Sequence, residues 1–363
     1  MNKKHFILNL VIVLAISLAA GFFISTKVYH DQWQDMMFKI EEVLEDKRFN
    51  LVDELVPEDG LSENMIFNFN SQVFLVAQKK DIASPDILLQ TYFDDDFLAS
   101  AVVITNDGWL ITASFLEDYD DLVVITNERE IIPVQEIVSD PVLNLSYLKI
   151  DKGGLNPVAI INSGNLKIGQ NVYAVRPNYY NYQHEIIDNS IRNLHARFLE
   201  KRTDLVYGAQ DFSYGLLNNY MEGDLALFNS KSQLIGFSDN QEGKTYLIPS
   251  KYIIYSFTSL FRGDKKIVYP SLDIRYIDLS ELVLDNDLPS QGAHIYEVLD
   301  RASSFKKGDI ITHVENDEIN EIRSLNDILL DYQINDEINV TLLRQGQEMK
   351  IKVIIQPLES LIR

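Results

Sequence analysis

Ser100-Ala-Val-Val-Ile-Thr-Asn-Asp-Gly-Trp-Leu-Ile-Thr112 reads as two short β-branched runs joined by a turn. Residues 101–105 and 109–112 have strand composition, and Asn106-Asp-Gly108 between them is a hairpin signal, because Asp-Gly supplies the positive φ that a tight antiparallel turn needs. The same pattern recurs on both sides. Residues 73–77, 122–126, 146–150, 171–175, 224–228 and 233–237 are further short strand-like runs separated by turn residues. Such spacing predicts an all-β barrel or sandwich and not a βαβ fold, with residues 249–262 the best helix candidate.

Beyond residue 267 the composition changes. Residues 274–277, 293–298, 309–314, 338–344 and 349–355 alternate like strands, Gly346 marks a hairpin, and residues 324–332 look helical with Leu325, Ile328 and Leu329 on one face. This predicts a separate small domain at residues 266–357, after a larger one at residues 67–262.

At the other end, residues 6–25 carry no charge, and at about 1.5 Å per residue they can cross a bilayer of about 30 Å. Lys3 and Lys4 precede the run, so the positive-inside bias leaves residues 1–26 as a cytoplasmic tip and transmembrane anchor, with everything that follows extracytoplasmic. A cleaved signal peptide with Ser17-Leu-Ala19 as its site is the alternative. The apolar run through Phe22, Phe23 and Ile24 exceeds a typical signal core and favours a retained anchor. Residues 27–66 then form a linker. In it Trp33, Met37, Ile40 and Leu44 recur on one helical face opposite Glu41, Glu42, Glu45 and Asp46, which fits either a stalk or a helix lying on its own domain.

Composition excludes several chemistries. With 32 Lys+Arg against 54 Asp+Glu the formal charge is -22, so nucleic acid is not an expected partner. The absence of Cys removes disulfides, thiolate catalysis and Cys-type metal sites, and only six His remain. No cofactor and no metal are expected. His184 and His195 fall in a Tyr- and Asn-rich insertion at residues 179–203 that reads as surface, and no His-Glu-x-x-His run exists. Asp94-Asp-Asp96 and Asp118-Tyr-Asp-Asp121 lack the Gly and terminal Glu of a calcium loop.

In order, the 100–112 stretch, Ser139-Asp-Pro-Val-Leu-Asn-Leu-Ser-Tyr-Leu-Lys-Ile150, Ile168-Gly-Gln-Asn-Val-Tyr-Ala-Val175 and Leu247-Ile-Pro-Ser250 resemble the HtrA family of trypsin-like serine proteases, in particular its membrane-anchored DegS-like members. The resemblance implies a mainly β fold: a trypsin-like double six-stranded β-barrel followed by a PDZ domain, behind one transmembrane helix. It also locates a catalytic triad. The general base falls at Phe115, the orienting aspartate at Asn144 and the nucleophile at Gly223, with Asp224 and Leu225 where the family has Gly-Gly. Phenylalanine accepts no proton, asparagine cannot stabilise an imidazolium by charge, and glycine cannot attack. On this count the catalytic set is empty and the chain is expected not to be an enzyme.

The resemblance further implies that the PDZ domain binds an extended peptide as an added strand, through Leu272, Asp273, Ile274 and Tyr276 on one wall and Leu325 and Ile328 on the other. Asp273 stands where glycine is usual. The expected function is that of a membrane-anchored pseudoprotease in envelope protein quality control, a scaffold or sensor binding unfolded or partner proteins and peptides, as a homotrimer or together with an active homologue. An active serine endopeptidase with displaced residues and a structural subunit of a membrane complex are the alternatives.

Overall fold

In the computed structural model, which describes residues 63–80, 86–163, 166–177, 184–196, 202–262, 265–283, 288–300 and 303–358, the quoted hairpin is part of a closed barrel. Its strands are β1 (Val73–Gln78), β2 (Phe97–Val103), β3 (Trp109–Thr112), β4 (Leu122–Ile125), β5 (Ile131–Asp140) and β6 (Leu145–Ile150), hydrogen-bonded in the order β1-β2-β3-β6-β5-β4. Gly108 explains why the turn needs glycine: its φ is +104°, and a Cβ there would stand 2.3 Å from the Ile150 carbonyl oxygen. The anchor at residues 6–25 and the stalk at residues 33–56 lie outside the described residues. Among the described residues no helix is long and apolar enough to cross a membrane.

A second barrel closes in the order β10-β13-β12-β11-β7-β8, from β7 (Asn171–Pro177), β8 (His184–Ala196), β10 (Tyr214–Leu217), β11 (Ala226–Phe228), β12 (Leu234–Gln241) and β13 (Lys244–Pro249). Four of the twelve barrel strands, β5, β8, β10 and β13, are absent from the strand-like runs read in the sequence. The insertion read as surface contains β8, thirteen residues long and paired to both β7 and β10. Its chain alternates too little to announce a strand, because only Asn189, Ile191 and Ala196 are buried along it. β5 was hidden for the same reason, with Ile132 and Asp140 its buried members.

From β13 the chain enters α1 (Ser250–Arg262), whose Tyr252, Ile253, Ser256, Phe257, Ser259 and Leu260 are buried at helical spacing. This face lies on the first barrel. Phe257 packs on Tyr147 with ring centroids 5.7 Å apart, and Phe261 meets Trp109 edge-on at 5.5 Å. Under the helix sits Asp140, fully buried at the end of β5. Its carboxylate accepts from the Val142 and Leu143 amides at 3.0 and 3.2 Å, from the Ser256 hydroxyl and from the Tyr269 hydroxyl at 2.6 Å. Burial pushes this carboxyl up, while the Ser256 and Tyr269 hydroxyls pull it back. One side chain thereby joins the first barrel, α1 and the approach to the last domain.

That domain comprises β14 (Pro270–Ser271), β15 (Ile274–Asp278), β16 (Ala293–Val298), β17 (Ile310–Val314), β18 (Asp317–Glu318), α2 (Leu325–Leu329), β19 (Glu337–Arg344), β20 (Gln347–Ile354) and β21 (Gln356–Pro357). The sheet order is β20-β19-β17-β16-β15, and beyond β15 it continues into β9 (Val206–Tyr207), a strand contributed by the segment between β8 and β10. α2 is shorter than the predicted 324–332 helix. Ser324 and Asp327 close a capping box at its start.

Replacing Asp140 by Ala leaves two buried hydroxyls and two amides without their acceptor, so urea unfolding of the Asp140→Ala protein is expected to show a loss of about 3 kcal/mol, with Ser256→Ala losing less.

Candidate functional site

At the first barrel, the Leu116 amide donates to Ser146 Oγ at 2.9 Å, and Ser146 pairs across the sheet with Thr112. This contact brings the segment after β3, with the half-buried Phe115, beside the start of β6, and Asn144 lies exposed in the turn just before it with φ +55°. Asparagine tolerates that left-handed conformation better than most residues. Gly223 belongs to the second barrel. It sits exposed in the β10–β11 loop with φ +87°, and its carbonyl accepts from Ser238 Oγ at 3.1 Å and Asn240 Nδ2 at 2.6 Å. Leu225, two residues on, is a core side chain of that barrel, so the loop is pinned down and not open.

The two imidazoles of the β8 strand behave differently. His184 is not a surface group. Its Nε2 lies 3.2 Å from the Val73 carbonyl, a bond between the second barrel and the first, and burial lowers its pKa to about 4 against the weaker opposing pull of that carbonyl. The ring donates to an acceptor it cannot exchange for water, which makes it a neutral tie between barrels. His195 lies at the other end of β8 and lines a cavity of about 510 Å³ together with Ser213, Ser280, Glu281, Ser324 and Asp327. Burial, then the Lys251 charge, holds His195 below the usual imidazole range, while Asp327, Glu281 and Glu321 act in the opposite sense. Reading motif spacing alone could not find this grouping, since its members come from both the second barrel and the last domain.

The predicted peptide-binding residues are brought together. Leu272, Ile274, Tyr276, Leu325 and Ile328 are all buried in one cluster between β15 and α2. Asp273 lies in the left-handed region at φ +52°, with its amide donating to Ser271 Oγ at 2.9 Å. The chain thus adopts with an aspartate the conformation for which glycine is preferred, at a cost of about 1 kcal/mol or more. Tyr207 of β9 belongs to the same cluster and stacks on Tyr276 with centroids 5.1 Å apart and planes at 10°. Nothing in the sequence marked Tyr207, because a two-residue strand is too short to show alternation.

The domain is fastened at Asp327. Its carboxylate takes the Lys251 ammonium and the Tyr252 hydroxyl, both at 2.8 Å, from α1. Burial, followed by the Asp327 charge, keeps Tyr252 protonated well above the ordinary tyrosine range.

Residues 282–355 match the PDZ domain family. The chain is 26% identical over 273 residues to the serine protease Do-like HtrA of Lactobacillus helveticus, a match covering 68% of this chain and 64% of that protein. It is 26% identical over 273 residues to a probable periplasmic serine endoprotease DegP-like of Marinomonas sp. (71% and 57% covered), and 24% identical over 269 residues to the serine endoprotease DegS of Haemophilus influenzae (71% and 77%). It therefore spans less than two thirds of the length of the first two. Among solved structures, the HtrA-type protease AlgW with a decapeptide superposes with a TM-score of 0.59 at 17% identity, covering 81% of this chain and 98% of that one; AlgW with a tripeptide gives 0.59 at 16%. These relatives correct one expectation. All three curated proteins are named as serine proteases or endoproteases, so the conclusion that the chain is not an enzyme does not stand. That conclusion rested on a residue count to Phe115, Asn144 and Gly223, and it took no account of the cavity that His195, Ser213 and Asp327 line.

Between pH 6.5 and about 4 the unfolded chain binds a proton at His184 that the folded chain refuses, so stability falls as pH drops through that window. The loss is on the order of 3 kcal/mol by pH 4, and His184→Gln is expected to flatten this part of the pH–stability curve measured by urea unfolding.

Proposed function

Because the chain is a homologue of the HtrA- and DegS-type trypsin-like serine proteases that carry a PDZ domain, we propose that it recognises unfolded or partner polypeptides through that domain in envelope protein quality control. In this reading it is a scaffold or sensor. Residues 6–25 hold it to the membrane, the following domains are extracytoplasmic, and it works as a homotrimer or with a proteolytic homologue. The observation that carries the proposal is that β15, facing α2, accepts an added antiparallel strand, β9, from elsewhere in the chain. Strand addition gives affinity through main-chain bonds and selectivity through side-chain pockets, and the pairing of β9 on β15 with Tyr207 stacked on Tyr276 supports this mode of recognition. The AlgW structures named with a decapeptide and a tripeptide support peptide recognition in chains of this fold.

A second reading is favoured by the cavity that His195, Ser213 and Asp327 share: a serine endopeptidase whose reacting groups sit away from the positions the family motif marks. Ser213 would supply the hydroxyl and His195 the base.

Full-length protein in nanodiscs, titrated with reduced casein in the presence of a fluorophosphonate probe, tests both. Saturable casein binding is expected, and its absence overturns the first reading. Stoichiometric labelling that disappears in Ser213→Ala establishes the second, and an unlabelled Ser213 removes it.

A further inference from the structure

β9 pairs with β15 antiparallel, Tyr207 opposite Tyr276 and Val206 opposite Ile277. β15 is thus no longer an edge. The strand is held from three sides. Its backbone continues the sheet; the Tyr207 side chain is 1% exposed within the cluster of Leu272, Ile274, Leu325 and Ile328, its hydroxyl donating to Glu281. From the opposite wall, Asn326 Nδ2 of α2 donates to the Gly208 and Asp211 carbonyls, both at 2.8 Å. Immediately downstream the segment is anchored to the second barrel's helix: Phe212 packs on Tyr252 at 4.5 Å, and the Ser213 amide donates to the Tyr252 hydroxyl at 3.2 Å.

Strand addition, an aromatic side chain in an apolar pocket and carbonyls clamped by a side-chain amide are together the chemistry by which a groove of this kind recognises a peptide. We infer that residues 205–211 are a tethered ligand of the chain's own groove, and that an external polypeptide binds by displacing Val206 and Tyr207 from β15. The inference rests on the peptide-recognition reading and adds an internal competitor to it. A tethered segment presents itself at an effective concentration in the millimolar range, so an incoming strand binds more weakly than the groove's intrinsic affinity by the fraction of time the groove stands open. The favoured occupant is an extended segment with an aromatic side chain, a hydroxyl included, facing Tyr276 and Glu281. Displacement also frees the segment that carries Ser213, so occupancy of the groove is coupled to the wall of the cavity at His195.

The probe is a fluorescein-labelled peptide with the sequence of residues 203–211, Thr-Asp-Leu-Val-Tyr-Gly-Ala-Gln-Asp, titrated into full-length protein in nanodiscs and followed by anisotropy. Tyr207→Ala, which removes the internal side chain, is expected to bind at least about ten-fold more tightly than the unsubstituted chain. A second variant leaves the tyrosine in place. The chain has no Cys, so Val206→Cys with Ile277→Cys can form only one internal disulfide, across a directly opposed antiparallel pair whose Cα separation suits the bond. Oxidised, it is expected to show no probe binding; reduced, it is expected to recover the affinity of the unsubstituted chain or better. Equal affinity of the unsubstituted, oxidised and Tyr207→Ala proteins overturns the tethered ligand while leaving peptide recognition elsewhere on the chain intact. No binding by any of them, reduced forms included, overturns both.

Discussion

A carboxylate is stable out of water only where donors enclose it, and this chain meets that condition twice at the joints between its parts. Asp140 gathers two amides and the hydroxyls of Ser256 and Tyr269, fixing α1 and the approach to the last domain against the first barrel. Asp327 takes Lys251 and Tyr252 from the same helix while capping its own. The short helix α2 is thereby held over the segment leading into β10, and the groove between α2 and β15 comes to lie where Val206 and Tyr207 can enter it. Remove either carboxylate and buried hydroxyls, those of Ser256 and Tyr269 or that of Tyr252, lose their acceptor.

Much of the fold was legible because strands buried on both faces leave continuous apolar runs. Residues 73–77, 101–103, 109–112 and 122–125 are such runs, and Asp107-Gly108 set the turn between two of them. β8 and β5 escaped because they are largely solvent-facing, so hydrogen bonding to neighbours and not burial defines them. The two sides of the proposed groove, Leu272, Ile274 and Tyr276 on one and Leu325 with Ile328 on the other, lie in one buried cluster and were legible as apolar positions of regular spacing. Its occupant was not, and neither was the cavity at His195, because both are made by residues distant in the chain that only the docking of the last domain brings together.

Function divides along the same line. Counting from the family's motifs placed the reacting groups at Phe115, Asn144 and Gly223, where the side chains offer neither base nor nucleophile, and from this an inert protein was expected. Relatives named as serine proteases and endoproteases remove that conclusion, and the grouping of His195, Ser213 and Asp327 shows where a hydroxyl and an imidazole do share a wall. The groove and the cavity are not independent. Tyr207 fills one and Ser213, six residues on, lines the other, with Phe212 and Tyr252 packed between them.

Hydrogen–deuterium exchange of the full-length protein, read over residues 202–213 and 274–280 with and without saturating reduced casein, tests most directly whether the groove holds the chain's own strand and yields it to another. Slow exchange of both segments is expected in the free protein, and on saturation a loss of protection at residues 202–213 with protection at residues 274–280 retained. Rapid, loop-like exchange of both segments in the free protein, or no change at residues 202–213 when casein is bound, would contradict this expectation.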